Sequence, residues 1–134
     1  MEWMTYEKNR LTNQWNEARQ KEAEYRAYAS EMQKVYDDMK NIKGDMEAVK
    51  KNMKNFFDRV YEDFKGEHFN KYENVCEVAM AEYTGAIKRI DDNLDRLNNE
   101  ITKYENFALE TYGIMGTLAK QINNIANMIE NCLN

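Results

Sequence analysis

Apolar residues recur along this chain with a period of seven. The series Met4, Leu11, Ala18, Tyr25, Met32, Met39, Met46, Met53 and Val60 contains no polar side chain. A companion three or four residues later is usually apolar too: Trp15, Tyr28, Ala29, Val35, Tyr36, Ile42, Val49, Phe56, Phe57 and Phe64. A seven-residue period holds one stripe of a helix against a partner helix, whereas a strand would alternate with a period of two. A second series runs Phe69, Cys76, Tyr83, Ile90, Leu97, Tyr104, Thr111, Leu118, Ile125 and Cys132, in which only Thr111 is polar. Its companions four residues later are Met80, Ile87, Leu94, Ile101, Ala108, Met115, Ile122 and Ile129, with Tyr72 standing in for Glu73 at the start.

The two series cannot be one, because Val60 to Phe69 is nine residues and not seven. The break falls at 63–68. Gly66 is suited to end a helix, since glycine accepts the left-handed conformation that follows a helix end. Asn70 with Glu73 resembles a capping box for the next helix. The pattern predicts a single domain over 1–134: a helix over about 3–63, a turn over about 64–67 and a helix over about 68–132. Each helix would be about 90–100 Å long at 1.5 Å per residue. Near-equal length and a short connection make the fold class all-α, a long antiparallel two-helix hairpin. A bare hairpin covers only part of each stripe. It is therefore expected to pair again, completing a four-helix bundle with a partner or with a second copy. Gly44, Gly85, Gly113 and Gly116 lie inside these helices, as tolerated glycines or as places for a bend.

Composition narrows the class. The chain has 134 residues, no proline and five glycines, which disfavours turn-rich β architectures. At 43% hydrophobic and 32% charged it is too apolar for a disordered chain, and no run of 18 apolar residues offers a membrane span. The N-terminal residues lack the marks of a secretory signal. The net charge of −5 is unevenly placed. Residues 1–66 carry 13 basic and 13 acidic side chains, leaving 6 basic and 11 acidic in 67–134. Without a basic stripe, nucleic acid and anionic membrane surfaces are disfavoured partners.

Motifs for catalysis are weak. One histidine, His68, cannot supply a di-iron bundle, which needs two Glu-x-x-His motifs. Cys76 and Cys132 would lie about 84 Å apart along a helix and cannot share a metal or a disulfide; both occupy stripe positions and are expected to be buried thiols. Cys76 and His68 are two turns apart with no orienting partner. Asp91, Asp92 and Asp95 read as a solvated face, and the methionines of the first series as core. No catalytic residue, cofactor or metal is expected.

The end remote from the turn is different. Residues 112–134 hold one lysine and one glutamate, with Asn, Gln and Thr at the other polar positions. They should lie opposite the segment that carries both tryptophans. Weak charge plus tryptophan is the composition of an interface centre. The expected partner interface is Trp3, Tyr6 and Trp15, with Ile122, Ile125 and Ile129 opposite.

Phe64-Lys65-Gly66 followed by Phe69, set between two long amphipathic helices, resembles the Trp-x-Gly turn of the WXG superfamily, with Phe64 in place of tryptophan. Those are small helical hairpins linked to type VII (Esx) secretion in Gram-positive bacteria. The longer arms resemble more specifically the α-helical accessory proteins encoded beside LXG polymorphic toxins. The resemblance implies a non-enzymatic targeting factor or chaperone. It would bind the helical N-terminal LXG domain of a toxin, stabilise it and help present it for export, in some cases with a second small helical protein. Phe64, Gly66 and Phe69 would shape the turn. The Tyr-x-x-x-Asp/Glu signal that often follows the second helix in Esx substrates is missing from 127–134; Phe69-x-x-x-Glu73 and Trp3-x-x-x-Glu7 lie elsewhere. Escort of a partner that holds the signal is therefore expected, from a cytoplasmic protein that either stays or leaves with its partner. The rival class is a self-assembling coiled-coil scaffold or adaptor, including a homodimer, with no secretion role.

Overall fold

The structure is a computed structural model that describes residues 1–63 and 67–134, and the side chains outside 63–69. Phe64 and Gly66 of the turn motif lie outside the described residues. Phe69 stands in the first turn of a described helix, with its side chain outside the description.

The chain forms two helices that pack against each other, α1 (Glu2–Asp63) and α2 (Glu67–Leu133), with no strand among the described residues. Thr5 N–H donates to the Met1 carbonyl at 3.0 Å to open α1, and Glu2 sits in that first turn, where the helix dipole favours an acid. Asn70, three residues inside α2, does not cap it. Both helices run unbroken through their glycines, and a side chain added at Gly44, Gly113 or Gly116 would meet nothing within 4 Å.

Two compact units make up the fold. The first joins Met1–Met32 to Asn99–Asn134, and the second is Gln33–Asn98. In the first, Met4, Leu11, Ala29, Ile101 and Ala108 are buried. An aromatic cluster bridges its two helices: Tyr25 stands 5.4 Å from Phe107 and 6.1 Å from Tyr104, and Tyr28 packs edge-on to Tyr104 at 5.6 Å. In the second, Cys76 and Leu94 are buried, Phe57 meets Tyr72 edge-on at 6.0 Å, and Lys43 pairs with Asp91 at 2.5 Å. Each unit is an antiparallel pair.

Every member of the first series is buried or half-buried, and the described companions four residues later face inward with it. These include Lys8, Glu22, Lys43 and Lys50 beside Trp15, Ala29, Tyr36 and Phe57. The companions three residues later do not: Tyr28, Val35, Ile42, Val49 and Phe56 are exposed. In α2 the described seven-residue positions and their +4 companions all face inward except Cys132. Cys132 is exposed, contrary to its expected burial. The pairing of Tyr25 with Phe107 and Tyr104 places Cys132 beyond the level of the first turn of α1.

Ile101 is the most enclosed of the buried apolar residues, at 3% exposure. Ile101→Ala should cost about 2–4 kcal/mol of unfolding free energy. Val75→Ser, on an exposed side chain, should change stability by less than about 0.5 kcal/mol. Urea titrations followed by circular dichroism measure both.

Candidate protein-interaction surface

Seven-residue spacing decides which side chains remain outside the helix pair, and the outside residues of the first unit form its candidate surface. Trp3 is 63% and Tyr6 70% exposed, although their neighbour Met4 is buried. Each stands to one side of the stripe, so the rotation of α1 that buries Met4 and Leu11 turns them out. Trp15 falls on a +4 position and is half-buried, with the Arg19 guanidinium 5.7 Å from its ring. Ile122, Ile125 and Ile129 are half-buried along α2. The structure thus places all six expected residues in one unit and divides them: Trp15 and the isoleucines face the helix pair, and Trp3 and Tyr6 face solvent.

Beside Trp15 lies an open groove of about 650 Å³. Trp15, Leu109, Tyr112 and Met115 give it an apolar floor, and Arg19, Arg26 and Glu105 give it charged walls. Leu109 and Tyr112 are exposed and were not among the expected interface residues. Their signal in the sequence is that each is a large apolar residue off the seven-residue stripe of α2. Glu22, also in the wall, is the one buried charged side chain among the described residues, and it accepts a 2.6 Å hydrogen bond from Arg26. A buried carboxylate needs such a partner, and Arg26, itself largely exposed, reaches it from the rim.

The second unit has a smaller groove of about 310 Å³ near its Phe57–Tyr72 contact, reaching Tyr61 and Met80. Burial there, with the Cys76 thiol next in effect, pushes the Tyr72 phenol above its ordinary range. Cys76 is free, and no group of three His, Cys, Asp or Glu able to hold a metal occurs among the described residues. Three other groups are shifted by ion pairs, Glu7 and Arg10 by each other and Lys43 by Asp91. Arg10 holds Glu7 below the carboxylate range, and the hydrogen bond to Asp91 raises Lys43 above the usual lysine value. The Glu7 and Lys43 shifts are features of surface pairing.

No family model matches the chain, and no curated protein or solved structure shows a significant match to it. Among the described residues no helix is long and apolar enough to cross a membrane.

Removing the guanidinium should strand the Glu22 carboxylate. Arg26→Ala is expected to lower stability by about 1–2 kcal/mol, discounted because Arg26 is exposed, while the double change with Glu22→Leu should recover most of that loss. Chemical denaturation of the two variants measures it. For Lys43 the sign follows from its raised value. A cation favoured by the fold stabilises it fully below the ordinary lysine value of 10.5 and loses that contribution as pH rises through the higher folded value. The melting-temperature gap between wild type and Lys43→Met should hold from neutral pH into the alkaline range and close only beyond 10.5.

Proposed function

We propose that the chain is a non-enzymatic targeting factor that binds the helical N-terminal LXG domain of a type VII secreted toxin and promotes its stability and export. The observation that carries this reading is the exposure of Trp3 and Tyr6 in the first unit, beside a stretch of α2 with almost no charge. Exposed aromatic anchors in a weakly charged setting are what a helical partner needs to add a further layer to a helix pair. The turn sequence Phe64-Lys65-Gly66 with Phe69 supports the secretion-linked half of the reading through its resemblance to the WXG turn. In this reading the factor is cytoplasmic when it meets its partner and can be exported with it, with a second small helical protein in the same assembly. A self-assembling scaffold with no secretion role is the rival.

Co-expression with the N-terminal domain of the LXG toxin encoded nearest to this chain tests the proposal. A stoichiometric heteromer is expected, and Trp3→Ala with Tyr6→Ala should weaken it by about 10–100-fold in calorimetry, the range for paired aromatic anchors. Absence of any complex, or a complex indifferent to both substitutions, contradicts the proposal.

A further inference from the structure

The second unit presents an apolar row that its own helix pair leaves uncovered. Val35, Ile42, Val49 and Phe56 repeat every seven residues along α1 and are 42–52% exposed. All four sit three residues beyond a seam residue. The same position on α2 holds Tyr72, Ala79 and Ala86, which are half-buried, and Asn93, which is exposed. In two right-handed helices packed antiparallel, these +3 positions fall on the same side of the pair. The first unit shows this directly, where Tyr28 and Glu100, both +3 residues, line one recess. The second unit therefore has one face floored by large apolar side chains from α1 and by Tyr72, two alanines and Asn93 from α2.

Charge edges that face. Six residues beyond the seam, α1 carries Asp38 and Asp45, and α2 carries Arg89 and Arg96. All four are exposed, and none makes an ion pair with a described residue. The Lys43–Asp91 and Phe57–Tyr72 contacts bracket the level of one helix against the other. Within that bracket the stretch of α1 from Asp38 to Asp45 runs alongside the stretch of α2 from Arg89 to Arg96. The face is acidic along one side and basic along the other over this stretch.

We propose that this face binds the same face of a second copy of the chain, related by a two-fold axis parallel to the helices. That operation lays α1 of one copy on α2 of the other, antiparallel. The large apolar row of α1 then lies over Tyr72, Ala79, Ala86 and Asn93, and each acidic edge meets a basic edge, Asp38 and Asp45 against the other copy's Arg89 and Arg96, twice over. A two-fold axis across the helices would set acidic edge on acidic edge and basic on basic. The charge pattern thus selects both the occupant and its orientation. The proposal stands apart from the toxin-binding reading, which uses residues of the other unit.

Light scattering on the full chain at high micromolar concentration tests it, with circular dichroism to verify helicity. Wild type should run at twice the chain mass. The charge-reversed pair Asp38→Lys and Asp45→Lys should weaken self-association by at least about tenfold, as should Arg89→Glu with Arg96→Glu. Mixing the two variants should restore a dimer made of one of each, since both edges are then complementary. Ile42→Gln with Val49→Gln, on exposed positions, should also give a helical monomer. Three results overturn the proposal: a monomeric wild type, charge variants that dimerise as wild type does, or a mixture that stays monomeric. A monomeric wild type whose Ile42 and Val49 variant loses the toxin domain would overturn it by giving the face to that partner.

Discussion

Rotation of α1 about its own axis is the constraint on which everything else in this structure depends. A helix with apolar residues at two companion positions, three and four beyond the stripe, can present only one of them to a single neighbour. Here α1 turns its +4 companions toward α2, although Lys8, Glu22, Lys43 and Lys50 are among them, and leaves Tyr28, Val35, Ile42, Val49 and Phe56 outside. Charged side chains tolerate that inward position because their stems are apolar and their heads reach the rim, as Lys43 does toward Asp91. Valine, isoleucine and phenylalanine have no such escape, so their exposure leaves apolar surface for a further layer.

α2 was the more legible half of the chain. Its stripe and its +4 companions agree throughout, and the seven-residue pattern alone indicates which side chains face the partner. Cys132 is the exception, for a reason that a pattern along one helix does not contain: pairing with α1 has run out by that level. α1 was legible as a helix and as a stripe but ambiguous in rotation, because Tyr28 and Ala29, Val35 and Tyr36, Phe56 and Phe57 are adjacent apolar pairs. Choosing between neighbours one residue apart requires knowing the partner's surface, and that is a tertiary fact.

The candidate surface divides the same way. Trp3 and Tyr6 could be picked out because their tryptophan-bearing segment lies opposite a weakly charged one, and both are exposed. Leu109 and Tyr112, large apolar residues off the stripe of α2, join Trp15 in one groove, but only the packed structure brings α1 and α2 residues to a common wall. Glu22 was invisible to pattern reading: a carboxylate on a helix usually faces water, and here the rotation of α1 turns it inward and recruits Arg26.

The pairing of the helices within one chain is the claim beneath these readings. It is tested most directly by nuclear Overhauser contacts between aromatic rings, recorded on a mixed-label sample that reports only contacts within a chain. Cross-peaks should link Tyr25 to Phe107 and Phe57 to Tyr72, at the 5.4 and 6.0 Å separations seen between the ring centres. Their absence, or cross-peaks joining the α2 rings to Val35, Ile42 or Val49 instead, would show that α1 is rotated otherwise.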